Sequence, residues 1–227
     1  MKTSIIVPVY NEEKTIKEIL IKVLASPIEK DIIVVDDCST DKSYKILKKY
    51  ANENIITLLK HEKNQGKGAA IRTGLQAVNS EIVLIQDADL EYDPEEYPRL
   101  IEPILEEKAE VVYGTRLHKN ARIEMHKLHY VGNKFLTLVI NLLYGAKVSD
   151  METGYKVIKS DIIKNMNLKA RKFDFEPEIT AKLLKKGHKI YEIPINFNPR
   201  SFKEGKKITW RDGLQHLYYI IKYRFVD

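Results

Sequence analysis

The chain has 227 residues, 44% of them hydrophobic and 31% charged, with 38 basic against 32 acidic side chains and a net charge of +6. That length closes one sizeable core, or one core with a small appendage, and the balanced charge excludes long disordered tails. The basic excess is too mild and too dispersed for a nucleic-acid binder, but it suits phosphorylated substrates or contact with an anionic membrane surface.

In chain order, Ile5-Ile6-Val7, Ile32 to Val35, Ile55 to Leu59 and Ile82 to Ile85 read as buried strands. Helical patterns lie between them. Ile16, Ile19, Leu20, Val23 and Leu24 repeat with helical spacing behind Asn11 as a candidate N-cap. Ser43 to Tyr50 and Lys67 to Val78 follow, and Asp93-Pro94 opens a fourth helix carrying Leu100, Ile101, Ile104 and Leu105. Glu110 to Tyr113 is a fifth strand. The second half predicts one long or two short helices over Ile123 to Tyr144, a helix over Glu176 to Lys186 and a strand over Ile190 to Phe197. A polar loop, Pro199 to Lys207, then leads to a closing helix from about Thr209 to Phe225. Strand–helix alternation of this kind implies an α/β fold, a mostly parallel Rossmann-like sheet with helices on both faces. A single domain over 1–227 is the simplest division, with a nucleotide-binding half at 1–116 and an acceptor half with its C-terminal helix at 117–227.

Cys38 is the one cysteine, so no intrachain disulfide forms and a reducing, cytoplasmic setting is expected. No secretory signal precedes the first strand. The apolar stretch from Phe135 to Ala146 is broken by Thr137 and Asn141 and falls short of the roughly 18 residues of a membrane span. A soluble or peripheral protein is the expectation.

Ligands of parallel sheets bind beyond the carboxyl ends of the strands. Polar clusters stand at five such ends: Pro8-Val9-Tyr10-Asn11-Glu12, Asp36 to Asp41, Asn64-Gln65-Gly66-Lys67-Gly68, Asp87-Ala88-Asp89, and Gly114-Thr115-Arg116. Asp87 and Asp89 follow the wholly apolar run Ile82 to Ile85, and small Ala88 between them leaves room for a ligand. Carboxylates there are costly unless a partner balances them. A hard cation, Mg²⁺ or Mn²⁺, shared with substrate phosphates fits that need, and the alternative is a helix-capping pair ahead of Pro94. An internal lysine or arginine that neutralised the pair would count against a transferase altogether. The glycines of Asn64 to Gly68 match neither common nucleotide-loop pattern, but they would let helix amides, and Lys67, approach an anionic ligand. The six histidines show no ligand spacing, which disfavours zinc.

In their order and spacing, Ile5-Ile6-Val7-Pro8-Val9-Tyr10-Asn11-Glu12, Val34 to Asp41, Asn64 to Ala70 and Asp87-Ala88-Asp89-Leu90-Glu91 resemble the family 2 glycosyltransferases of GT-A fold. Within these the chain is most similar to the dolichyl- and polyprenyl-phosphate mannose and glucose synthases. The resemblance runs through nearly the whole chain. It implies an inverting hexosyltransferase that uses a GDP-mannose or UDP-glucose type of donor and a lipid-linked phosphate acceptor. It implies that Pro8, Tyr10, Glu12, Val35 and Asp37 bind the nucleoside, with Lys67 and Ala88 alongside the donor. Asp87, Asp89 and Glu91 would hold the metal and diphosphate, Glu91 standing where the mannose synthases commonly have Gln. Arg116 and Arg200 match phosphate-contacting positions, with Lys206 and Lys207 in the basic tail of the same motif. A second arginine of the family has no clear counterpart among Arg122, His126 and Lys127, and Lys203 reads as part of a solvated loop. Asp150 and Glu176 lie in matching motifs, Asp150-Met151-Glu152-Thr153-Gly154-Tyr155-Lys156 and Phe173-Asp174-Phe175-Glu176. Either could orient the acceptor, act as base toward a hydroxyl, or simply pair with a nearby cation. The residues so assigned to catalysis are Asp89, Arg116, Arg200 and Glu176.

Three other readings stand beside this one. A family 2 enzyme could act on a saccharide hydroxyl in glycan or capsule synthesis. A sugar-phosphate nucleotidyltransferase would need a glycine-rich basic loop after the first strand, which Pro8 to Glu12 is not. A non-catalytic nucleotide-sugar-binding module would bind donor without turnover. The helices over Phe135 to Leu143 and Leu214 to Phe225 are either core or interfacial, so contact with a membrane or a membrane-anchored partner stays open.

Overall fold

The computed structural model describes residues 1–117, 127–200 and 210–226. Its strands are β1 (Thr3–Val9), β2 (Lys30–Asp36), β3 (Thr57–Lys60), β4 (Ile82–Ile85), β5 (Val111–Thr115), β6 (Lys156–Lys159) and β7 (Ile190–Pro194). The helices are α1 (Ile16–Ala25), α2 (Ser43–Asn52), α3 (Lys67–Gln76), α4 (Tyr97–Leu105), α5 (Lys127–Tyr144), α6 (Ser160–Lys164), α7 (Phe175–Lys185) and α8 (Trp210–Phe225).

One seven-stranded sheet runs in the order β3-β2-β1-β4-β6-β5-β7. Only β6 opposes its neighbours, pairing antiparallel with β4 and β5, while the other pairings are parallel. Every polar strand end named above therefore falls on one edge. Side-chain alternation splits the core in two. Ile5, Val7 and Val9 pack with Ile16, Ile19 and Leu20 of α1 and Leu100 and Ile104 of α4. Ile6, Ile33 and Val35 point the other way, toward Ile71 of α3 and Phe175 and Ile179 of α7. A third cluster joins α5, α7 and α8 through Leu136, Ile140, Ala181, Ile220 and Tyr223.

The structure corrects the sequence reading in three places. Strand β6 and helix α6 were not expected. Asn11 does not cap α1, which starts at Ile16; it takes a positive φ of 55° and its side chain accepts from the Thr40 amide at 2.8 Å. The end of β1 is thereby tied to the turn after β2. The opening at Asp93 holds: its carboxylate accepts from the Glu95 amide at 3.1 Å, ahead of a short 3₁₀ turn and α4.

Candidate active site

The polar strand ends surround a cavity of about 310 Å³. Pro8, Tyr10, Glu12, Asp37, Lys67 and Asp87 line it, together with Ala88, Asp89, Glu91, Arg116, Glu176 and Arg200. Val35 and Asp150 do not. Val35 is wholly buried, with Cγ2 in the core beside Gly74, because its position in β2 points to the sheet face rather than the edge. Lys203, Lys206, Lys207, Arg122 and His126 lie outside the described residues, as does the side chain of Lys127.

Behind the acidic motif sits Gln86. Its Oε1 accepts from the hydroxyls of Tyr97 at 2.6 Å and Tyr155 at 2.8 Å, and its amide donates to the Asp87 carbonyl at 2.8 Å. This buried network fixes the turn that presents Asp87 and Asp89. Gly154 packs against the same turn from β6's side. A Cβ there would stand 2.5 Å from the Asp87 Oδ2 and 2.8 Å from the Tyr92 ring. Gly154→Ala is therefore expected to displace Asp87 and cut kcat/KM about a hundredfold, with little change in melting temperature. A variant with normal turnover would mean that Asp87 need not sit where it does.

Both carboxylates point into the cavity, and both are neutralised from within. Lys67 Nζ lies 2.8 Å from Asp87 and 2.8 Å from Glu176. Arg200 bridges Asp89 at 3.0 Å and Glu12 at 2.9 Å. The expectation that only an arriving cation and pyrophosphate could balance this pair is overturned: two basic side chains already do so. Glu91 lines the same cavity. Its carboxylate accepts from the Arg200 backbone amide at 2.8 Å, tying the incoming chain to the cavity rim. Among the described residues no three His, Cys, Asp or Glu side chains are grouped to hold a metal. Two cavity carboxylates on one turn still suit a cation such as Mg²⁺, which keeps few protein ligands and fills its shell from substrate phosphates and water.

Electrostatics single out Asp89. Burial, then the neighbouring charges of Asp87 and Glu91, push its carboxyl up to about 7, and Arg200, shared with Glu12, only partly opposes them. Lys67 behaves oppositely: burial works against its charge, but Asp87 and Glu176 outweigh that and hold its pKa well above the ordinary lysine value. Lys67 and Lys156 likewise overcome burial to keep the Glu176 carboxyl low. A metal–diphosphate held by Asp89 would need that carboxyl ionised, and its pKa lies above the ordinary 3.8. Affinity should therefore rise with pH up to about 7 and then level off, with proton uptake by buffer detectable calorimetrically only on the acid side. Binding with no proton release at either pH would contradict the shift.

The loop from Asn64 to Gly68 is held by Asp37, whose carboxylate accepts from the amides of Gln65 at 2.8 Å and Gly66 at 2.7 Å and faces His61 Nδ1 at 2.7 Å. Asp37 also lines the cavity. The idea that α3 offers its first amides to an anion fails. Gly68 N donates to the Lys172 carbonyl at 3.1 Å and Ala69 N to that of Arg171 at 3.0 Å. Gly66 permits this close approach: its φ is 94°, and a Cβ would meet the Arg171 carbonyl oxygen at 2.4 Å.

On the far side, Arg116 extends from the end of β5. Asp150 grips it through Nε at 2.7 Å and Nη2 at 2.8 Å, and also accepts its backbone amide at 3.0 Å. Asn133 of α5 supports Asp150 at 2.8 Å, and the Phe197 ring lies 5.0 Å from the guanidinium. Asp150 is fully buried, so of its open readings it takes the pairing role: it aims Arg116 and cannot touch an acceptor. Glu176 does reach the cavity. Its Oε1 is bound to Lys67, while Oε2 is buried without a hydrogen-bond partner.

Other cavity residues were not foreseen. Glu152 and His216 face each other at 2.9 Å and bring α8 to the site. Lys156, fully buried beneath, points at the carbonyls of Met151 and Thr153 and over the Tyr113 ring, and burial lowers its pKa to about 8. The motif Asp150 to Lys156 was visible, but not that Glu152 faces the cavity, and His216 lies in no motif.

The family model described as Glycosyl transferase family 2 matches residues 4–166. A UDP-N-acetylglucosamine–dolichyl-phosphate N-acetylglucosaminyltransferase of Methanococcus voltae is 31% identical, over 84% of this chain and 83% of that one. A dolichol-phosphate mannosyltransferase of Pyrococcus furiosus is 24% identical over 98% of this chain, which spans 64% of that protein's length. Among solved structures, glucosyl-3-phosphoglycerate synthase of Mycobacterium tuberculosis in complex with Mn²⁺, UDP and phosphoglyceric acid superposes with a TM-score of 0.75. It is 17% identical and covers all of this chain and 79% of its own, so the two share the GT-A fold. The chain belongs to glycosyl transferase family 2.

Proposed function

We propose that this glycosyltransferase moves a hexose from a nucleotide diphosphate sugar to a polyprenyl or dolichyl phosphate, with inversion at the anomeric carbon. The observation that carries this reading is Arg116, locked by Asp150 in a cavity where Asp87 and Glu176 are paired with Lys67 and Asp89 and Glu12 with Arg200. A phosphate acceptor is already anionic and needs a positioned cation rather than a base. Arg200 Nε, buried without an acceptor, is a donor that a phosphate oxygen would satisfy. The names of the relatives above point the same way.

In this reading Asp87 and Asp89 hold Mg²⁺ or Mn²⁺, which would neutralise the departing nucleoside diphosphate. Lys67 and Arg200 exchange their internal carboxylates for phosphate oxygens. Tyr10 and Glu12, at the end of β1, border the nucleoside. Arg116 aligns the acceptor oxygen, whose bond to the anomeric carbon forms as the bond to the donor diphosphate breaks. Residues 1–116 supply the donor half and 117–227 the acceptor half of one domain. No helix among the described residues is long and apolar enough to cross a membrane.

The test is transfer of labelled sugar from GDP-mannose, UDP-glucose and UDP-N-acetylglucosamine to a short-chain polyprenyl phosphate and, separately, to an oligosaccharide, each with Mn²⁺. Product on the lipid phosphate alone is expected. Product only on the oligosaccharide would overturn the assignment.

A further inference from the structure

Helices α5 and α8 are apolar on both sides. Their inner faces share a buried seam, where Tyr144 Oη donates to the Ile220 carbonyl at 2.9 Å. Outward from α5, Val131, Phe135, Leu138 and Leu142 are exposed by 53–75%. Outward from α8, Leu214, Tyr218, Ile221 and Phe225 are exposed by 44–78%. Each set falls at i, i+4, i+7 and i+11, a single stripe about 16 Å long. An ordinary surface helix turns its polar face out. Two adjacent helices that turn apolar ridges out instead make a patch of the kind that marks a contact surface.

We infer that these two stripes seat the enzyme on an anionic bilayer, with both helices lying in the headgroup plane; the inference rests on the lipid-phosphate reading of the acceptor. Charge identifies the occupant. Among the described side chains the two helices carry Lys134, Lys222 and Arg224 and no acid. Such a face attracts an anionic surface and repels its own copy. Position agrees. His216 of α8 lines the active-site cavity, and Asn133 of α5 supports the Asp150 that aims Arg116. A bilayer against the outer faces of these helices places that cavity at headgroup level, where a lipid-borne phosphate sits. Tyr218, with its ring outward and its hydroxyl able to remain wet, suits that boundary.

The test pairs vesicle flotation with two acceptors. Wild-type protein should float with phosphatidylcholine vesicles containing phosphatidylglycerol and much less with phosphatidylcholine alone. Phe135→Ser/Leu142→Ser, at two exposed sites, should lower partitioning on the order of a hundredfold. It should keep wild-type melting and wild-type transfer to a water-soluble short-chain prenyl phosphate, while losing transfer to a long-chain acceptor embedded in vesicles. A variant that floats like wild type would overturn the inference. So would a wild-type dimer, by light scattering, that the same substitutions dissolve. Flotation lost in the variant with no transfer to either acceptor by wild type would uphold the surface and remove the acceptor assignment instead.

Discussion

Asp89→Ala is expected to lower kcat/KM at least about a thousandfold while leaving the fold intact. The substitution removes a carboxylate that faces the cavity and that burial and two acidic neighbours hold in a high-energy state, so little stability depends on it. Its partner Arg200 keeps Glu12 at 2.9 Å and is not stranded. What disappears is half of the carboxylate pair that would bind the metal–diphosphate. Chelation by EDTA should reproduce the loss in wild-type protein, and the variant should be insensitive to added Mn²⁺. Full activity in the variant would remove Asp89 from the mechanism.

Asp150→Ala should have the largest effect on stability. Arg116 and Asp150 are both deeply buried and bonded through two guanidinium nitrogens. Deleting the acid leaves an unpaired buried guanidinium and strands Asn133, which should cost about 3–5 kcal/mol in urea denaturation. Arg116→Met/Asp150→Leu removes the charge from both sides and should regain most of that stability. It should not regain transfer, because the cation that aligns the acceptor is gone. Restored turnover in the double variant would show that the pair is purely structural.

Much of this was readable from residue order. The four β-branched runs gave the parallel half of the sheet, and the polar residues after them located the site, because a parallel sheet puts all such ends on one edge. Strand β6 was not readable: its apolar content is Val157 and Ile158, flanked by lysines, and only three-dimensional contact shows that Lys156 is buried over Tyr113. The ion pairs were equally hidden. Arg200 meets Glu12 across 188 positions and Lys67 meets Glu176 across 109, separations at which local pattern carries no signal. For the same reason the buried pairing of Asp150 with Arg116 could not be told in advance from an acceptor contact. The residue types at the site were legible, but not their partners.

On donor binding, Asp87 and Asp89 should give up Lys67 and Arg200 for a divalent cation shared with the donor diphosphate. Electron paramagnetic resonance of Mn²⁺ reads this directly. Wild-type protein should immobilise Mn²⁺ strongly only when the nucleoside diphosphate is present, and Asp87→Asn/Asp89→Asn should leave the spectrum that of free ion. Equal immobilisation in the double variant would contradict the account.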